Sequence, residues 1–230
     1  MYRSSVLISY YNSSKFIARK IENIKSQSVF DECEFIFING GSQERDEDYV
    51  IEAAQSHQNI VNIGATERIS LYSAWNIGIQ ASNAPLLCNS NVDDIIAPNA
   101  LSELCDALES NPDCSIAYPD IVSTSKINSK WGEGIEFVTT NRDAMGPLLM
   151  WRKSLHDRYG MFDERFWVLG DADFFYDRLA CEKTVKVPKP LVMYWIGDSN
   201  LYRNLRLRQR DEALLESKRL GMCVSSDCFL

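Results

Sequence analysis

Apolar and polar positions alternate in blocks along the first half of this chain. Residues 6–8 form a short apolar run, residues 15–27 carry apolar positions at helical spacing, and residues 34–38 form a second run that Gly40 and Gly41 break. The pattern continues with a helix over residues 46–56, a third strand over 60–63, a helix over 71–81 and a short strand over 86–88. That strand leads into Asn91-Val92-Asp93-Asp94, and Pro98 opens the next helix. Short apolar runs separated by amphipathic segments predict an α/β domain with a mainly parallel sheet.

After residues 115–118 the rhythm changes. Residues 123–141, rich in Ser, Thr, Asn and Gly, read as loops or a short hairpin. Order resumes over residues 145–151, at a helix from Lys153, at a second helix near residues 173–181, at a strand over 191–194 and at a final charged helix to about Leu220. No repeat or low-complexity linker intervenes, so one composite domain is expected over residues 1–220. Residues 221–230 form a tail, which from Val224 on is a frayed end or the cut edge of a longer chain.

Composition narrows the classes. The 230 residues carry 24 Lys+Arg against 32 Asp+Glu, a formal net charge of −8. There is no apolar run of about 18 residues for a membrane span, and the apolar stretch at the N-terminus is too short for a secretory signal, so a cytosolic protein is expected. The acidic balance argues against a nucleic-acid binder; Arg203, Arg206, Arg208 and Arg210 make either a local basic patch or a solvated helix face. Seven cysteines, Cys33, Cys88, Cys105, Cys114, Cys181, Cys223 and Cys228, are an odd number set mostly in apolar segments, and the histidines are His57 and His156 alone. Buried reduced thiols, not disulfides or a structural zinc site, are the simplest reading.

Ligands of parallel sheets bind beyond the carboxyl ends of the strands. Four polar clusters fall there: Ser9-Tyr10-Tyr11-Asn12, Asn39-Gly40-Gly41-Ser42, Asn91-Val92-Asp93-Asp94 and Gly170-Asp171-Ala172-Asp173. Tyr11 beside Ser9 has the means to stack on a flat base and bond its edge, or simply closes a strand. Gly40-Gly41 permits close backbone approach, and is also common turn chemistry. Adjacent Asp93 and Asp94 repel unless a cation or water intervenes; hard oxygen ligands suit Mg²⁺ or Mn²⁺, and a helix cap ahead of Pro98 is the alternative. Asp171, just before a helix and among apolar neighbours, is placed for a raised pKa and general-base work, or for a plain N-cap.

Together the clusters resemble the nucleotide-diphospho-sugar glycosyltransferases of the GT-A fold, family 2, including the spore-coat polysaccharide synthesis type and a bacterial and viral surface-glycan subgroup. The resemblance runs from about Val6 to about Tyr194. It rests on Val6 to Asn12, on Phe35 to Ser42, on Tyr72-Ser73-Ala74-Trp75-Asn76-Ile77-Gly78, on the acidic Asn91 to Asp94 cluster, and on Tyr159-Gly160-Met161-Phe162-Asp163-Glu164 followed by Gly170 to Phe174. It implies a GT-A sheet with a nucleotide-sugar-binding half over residues 1–119 and an acceptor half over 120–220.

The resemblance further implies a donor site of Ser9, Tyr11, Asn39, Gly40, Arg68, Asn76, Asn91 and Asp93, and a divalent metal, Mn²⁺ or Mg²⁺, on Asp93 and Asp94. Asp171 matches the catalytic base, and Trp151, Arg152 and Asp173 are expected on the acceptor side. Implied partners are a nucleotide-diphospho-sugar and a glycan or glycoconjugate acceptor, with further domains of a longer chain and a peripheral membrane location both allowed. Three positions depart from the pattern: Gly40 stands where an Asp usually reads uracil, Trp75 where an Arg precedes Asn76, and Asn91 where the metal motif has its first Asp. Those departures motivate a non-catalytic nucleotide- or glycan-binding module as the rival reading, which the retained Asp171 opposes. A transferase that makes the activated sugar donor is a third reading, opposed by the lack of a Gly-rich basic loop after the first strand.

Overall fold

The computed structural model describes residues 1–127, 129–139, 146–197 and 200–221. Its first half runs β1 (Ser4–Tyr10), α1 (Ser14–Lys25), β2 (Cys33–Asn39), α2 (Asp46–Ser56), β3 (Ile60–Gly64), α3 (Leu71–Ala81) and β4 (Leu86–Asn89). β1 pairs in parallel with both β2 and β4, and β2 with β3, Val6 lying opposite Phe35 and Cys88. Val6 and Ile8 of β1 enter one hydrophobic cluster with α1 and α2, while Leu7 enters another with α3. A sheet covered on both faces needs unbroken apolar strands, as these are. Gly78 lets α3 settle on the sheet, since a Cβ there would meet Leu7 Cδ2 at 2.9 Å and Ile38 Cδ1 at 3.0 Å.

The second half runs β5 (Ile95–Ile96), α4 (Ala100–Ser110), β6 (Ile116–Thr124), β7 (Phe137–Thr139), β8 (Met150–Arg152), α5 (Leu155–Tyr159), a π-type helix over Ala172–Arg178, β9 (Thr184–Trp195) and α6 (Leu205–Arg219). Among the described residues, these nine strands join one sheet in the order β3-β2-β1-β4-β8-β6-β9-β5, with β7 on β6. β8 runs antiparallel to β4 and β6, so the sheet is parallel in its first half and mixed beyond. This is the mixed α/β architecture the pattern predicts. Of the loops or short hairpin expected over residues 123–141, β7 is present and pairs antiparallel with the end of β6, which starts well before that segment.

The expected strand over 191–194 is the end of the longer β9. Pro188 and Pro190 interrupt its alternation, and its pairing with β6 shifts register around Asp120; a proline without an N–H breaks the ladder, not the strand. Cys33, Cys88 and Cys105 are buried free thiols, but Cys114 is half-buried and Cys181 exposed. Cys223, Cys228, the tail from Val224, Asn141 and Met145 lie outside the described residues. Among those described, no helix is long and apolar enough to cross a membrane. The basic segment divides: Arg203 and Arg206 are exposed, while Arg208 pairs with Glu212 at 3.3 Å and Arg210 donates to the Arg165 carbonyl at 2.8 Å.

Candidate active site

The chain steps from β1 outward to β3 and then returns to the other side of β1 as β4, so the loops after β1 and β4 part at their carboxyl ends. A cavity of about 790 Å³ opens there. It gathers Ser9, Tyr11, Gly40, Arg68, Asn91, Asp93 and Asp171 onto one wall system.

At one end Arg68 stacks on Tyr11, its guanidinium carbon 3.5 Å from the ring centroid and 5.5 Å from that of Trp167. Gly41, at φ 83°, makes this possible: a Cβ there would lie 2.4 Å from the Glu67 carbonyl oxygen, so only glycine lets residues 67–68 come this close. Asn39 builds the turn from below, its Oδ1 accepting the N–H groups of Gly41 at 3.1 Å and Ser42 at 2.7 Å. Asn12 (φ 47°) ties this turn to the β1 loop by accepting from Gln43 N at 2.9 Å. Burial pulls the Arg68 guanidinium below its ordinary range, with Tyr11 acting in opposition.

The acidic turn is held by α1. Arg19 donates to the Asp93 carbonyl at 2.6 Å, Lys20 to Ser90 Oγ at 2.6 Å and the Asp94 carbonyl at 3.2 Å, Asn23 to the Ile96 carbonyl at 2.8 Å and Gln27 to the Ala97 carbonyl at 2.9 Å. Positions 19, 20 and 23 share one face of α1, and Gln27 just past its end extends the polar ladder along residues 93–97. Asp93 presents to the cavity, whereas Asp94 is turned inward, Oδ1 accepting from Trp195 N at 3.0 Å and Oδ2 from Asn91 Nδ2 at 3.1 Å. Burial raises both carboxyls and lowers Lys20; the charge of Asp93 adds to the rise of Asp94, while Lys20 and the carboxylates restrain each other's shifts. Among the described residues no cluster of three or more His, Cys, Asp or Glu offers a complete protein metal site. One cavity carboxylate suits a hard cation whose remaining ligands are water and phosphate oxygens.

Asp171 sits half-buried in the cavity wall ahead of the π-type helix, where its Oδ1 accepts from Ala172 N at 2.9 Å and from the Tyr72 hydroxyl at 3.0 Å. Burial pushes its carboxyl up; the Tyr72 and Ala172 bonds hold it back, and the nearby Asp211 adds to the rise. The segment before it is clamped from two sides. Asp211 of α6 accepts with one oxygen from Trp167, Val168 and Leu169 N at 2.8, 2.6 and 3.0 Å, and Tyr72 of α3 donates to the Val168 carbonyl at 2.8 Å.

The remaining expected residues lie away from the cavity. Asn76 bonds Phe162 N at 3.0 Å, the Phe162 carbonyl at 2.9 Å and Glu164 Oε1 at 2.9 Å, pinning the Phe162-Asp163-Glu164 segment to α3. Trp151 is fully buried, donating to His156 Nε2 at 3.0 Å. Arg152 reaches the carbonyls of Cys114, Leu108 and Asn111 at 2.9, 2.8 and 3.3 Å near the end of α4. Asp173 is buried between Lys218 and Arg178, the latter at 3.2 Å. From the segment around Trp151, it is Gly146 and Pro147 that face the cavity. Tyr72, Trp167, Tyr194 and Tyr202 also line it without having been singled out. Tyr72 alone had a sequence signal, its place four residues before Asn76.

The sequence matches the glycosyl transferase family 2 model over residues 5–168, and no curated protein matches it. Among solved structures, the mannosyltransferase PcManGT from Pyrobaculum calidifontis, in complex with GDP-Man and Mn²⁺, superimposes with a TM-score of 0.73 at 15% identity, over 97% of this chain and 65% of that one. TarS 1-349 from S. aureus, in complex with UDP-GlcNAc, does so with a TM-score of 0.76 at 13% identity, over 97% of this chain and 68% of that one. The chain thus spans about two thirds of these relatives, and at such identity they establish its fold as GT-A. With the matched residues covering most of the chain, the protein belongs to glycosyl transferase family 2.

Proposed function

We propose that the protein transfers a sugar from a nucleotide-diphosphate donor to a hydroxyl of a glycan or glycoconjugate acceptor, with inversion. The observation that carries this reading is the presence, in one cavity, of the Tyr11 and Arg68 stack, the Asp93 carboxylate and the Asp171 carboxylate. The family assignment and the nucleotide-sugars bound by the PcManGT and TarS relatives support it. Residues 1–220 act as one domain in this reading, because α6 supplies Asp211 to the segment ahead of Asp171.

Tyr11 and Arg68 take the base and Ser9 lies beside them. Asp93 is the residue that would hold a divalent cation, Mn²⁺ or Mg²⁺, which when bound offsets charge on the diphosphate. The acceptor oxygen attacks the anomeric carbon as the bond from that carbon to the diphosphate oxygen breaks, its electron pair leaving with the nucleoside diphosphate. The acceptor proton passes to Asp171. One displacement inverts the anomeric centre.

General-base assistance of this kind is worth roughly 10²–10⁴-fold. Nucleotide binding by UDP, GDP, CMP and dTDP, each with and without Mn²⁺, followed by turnover of the sugar nucleotide of the base that binds, tests the reading. Asp171→Asn is expected to keep nucleotide affinity and lose at least about a hundredfold in turnover. Turnover within twofold of wild type would reject the base, and no nucleotide binding under any condition would reject the donor site.

A further inference from the structure

The Tyr72 hydroxyl lies 3.0 Å from Asp171 Oδ1 and 2.8 Å from the Val168 carbonyl oxygen. Its ring is fully buried and pressed against the backbone that carries Asp171, where a Cβ on Gly170 would meet Tyr72 Cδ2 at 2.6 Å. Tyr72 Oη is therefore fixed from three directions: the helix that carries it, the glycine it rests on and the carbonyl it faces. Asp171 Oδ1 already accepts from Ala172 N, and the single phenol proton, shared between the Val168 carbonyl oxygen and Oδ1, gives that carboxylate oxygen its second donor. Both donors from neighbouring residues, Tyr72 Oη and Ala172 N, fall on Oδ1 and not on Oδ2, and Asp171 lines the cavity.

We propose that Tyr72 is a positioning residue for the reaction: its hydroxyl, with Ala172 N, fixes Asp171 by Oδ1 so that Oδ2 is the atom that receives the acceptor's proton. This rests on Asp171 being the base. A carboxylate held by one oxygen through two donors has its rotation about the Cβ–Cγ bond set, and its free oxygen is left to face the reacting hydroxyl. The transfer balances as before: the acceptor O–H breaks, its oxygen bonds the anomeric carbon, the nucleoside diphosphate leaves with the electron pair and the proton ends on Oδ2.

The arrangement also sets the charge state. Burial acts to protonate Asp171, Asp211 from α6 acts the same way, and the Tyr72 donor from α3 acts against both. A hydrogen bond to the ionised form favours that form. Asp211 spends one oxygen on the residues 167–169 N–H groups and meets Arg210 at 3.2 Å with the other, so Tyr72 is the side chain that bonds the base itself.

The test needs no knowledge of the acceptor. In protein labelled with ¹³C at the Asp carboxyls, the Asp171 resonance is identified by its loss in Asp171→Asn. Its titration midpoint is expected to rise by about one pH unit, a tenfold change in proton affinity, in Tyr72→Phe, and to fall when 3-fluorotyrosine, a stronger donor, replaces Tyr72. In turnover of UDP-GlcNAc or GDP-mannose, whichever is a donor, Tyr72→Phe is expected to lower kcat about tenfold below the wild-type acid limb with donor KM within twofold. Midpoints that coincide in all three proteins overturn the Tyr72 assignment even if Asp171→Asn is inactive. An active Asp171→Asn overturns the base and the positioning role with it, whatever the resonances show. The fluorotyrosine protein, which leaves the packing intact, decides the matter if Tyr72→Phe does not fold.

Discussion

Arg68 occupies the space in front of Gly40. A Cβ built on Gly40 would stand 3.2 Å from Arg68 Nη1, tighter than ordinary van der Waals contact, and 3.4 Å from the Tyr10 carbonyl, at its edge. The space before Gly40 is thus filled by a cation that is stacked on Tyr11 and comes from the adjoining segment, where Ile69 N bonds the Gly40 carbonyl at 3.2 Å.

Arg68→Lys keeps the charge and loses the planar fork and the stack, so it is not conservative here. Nucleotide affinity is expected to fall about 10–30-fold in Arg68→Lys, equivalent to about 1.4–2 kcal/mol. Gly40→Ala, which crowds Nη1, is expected to weaken binding in the same direction by a smaller factor. Isothermal titration with the nucleotide that binds wild type measures both, and an Arg68→Lys protein binding as well as wild type would remove Arg68 from the donor site.

The two adjacent aspartates are expected to fail differently. Asp93→Ala leaves the internal bonds of the turn in place, so its melting temperature should stay within a degree or two while Mn²⁺-dependent nucleotide affinity is lost. Asp94→Ala removes the partner of Trp195 N and Asn91 and takes from Lys20 the larger of the two carboxylate influences, Asp94 and Asp93, that offset its buried charge. Deleting one member of such a buried set costs about 3–5 kcal/mol. Equal melting temperatures for the two variants would contradict the inward placement of Asp94.

His156 makes stability pH-dependent. Trp151 Nε1–H donates to its Nε2, so Nε2 carries the lone pair and the proton sits on Nδ1, facing the Gly160 carbonyl at 2.9 Å. Burial lowers its pKa from the ordinary 6.5, the Gly160 contact resisting. Between that lowered value and 6.5 the unfolded chain binds the proton that the folded chain refuses, so stability falls as pH drops through this window. Tm should decline from pH 7.5 to 5.5 in wild type and stay flatter, from a lower starting value, in His156→Gln. Parallel curves would assign the acid sensitivity elsewhere.

Asp211 is expected to matter to both folding and rate. Asp211→Asn replaces a carboxylate oxygen with three N–H donors by a weaker amide acceptor, at about 2–4 kcal/mol. Because those donors belong to residues 167–169, the loss should also loosen the segment leading to Asp171. Chemical denaturation measures the first effect, and hydrogen exchange at Val168 and Leu169 the second. Unchanged protection there would show the segment to be held without α6.

How far the chain could be read in advance follows from the range of the forces involved. Alternation of apolar runs and amphipathic segments sufficed for the strands and helices around β1 to β4, because their burial pattern is local and repeats every two or 3.6 residues. Ser9, Tyr11, Gly40, Asn91, Asp93 and Asp171 were accessible because each stands at a strand end or helix start that the pattern itself marks. Trp151, Arg152, Asp173 and Asn76 carry the same chemistry as site residues, yet they are spent on the core, on α4, on Lys218 and Arg178, and on Phe162.

Sequence by itself determined the parallel first half of the sheet, its crossover helices and the family, since these rest on periodicity and on short contiguous motifs. Only the tertiary structure decided that Asp93 faces the cavity and Asp94 the interior, that Arg68 fills the place before Gly40, and that Tyr72 and Asp211, 139 positions apart in the numbering, grip the same residue, Val168, by its carbonyl and its N–H. Adjacent carboxylates are indistinguishable until something packs against one of them. Contacts across such separations leave no period in the chain.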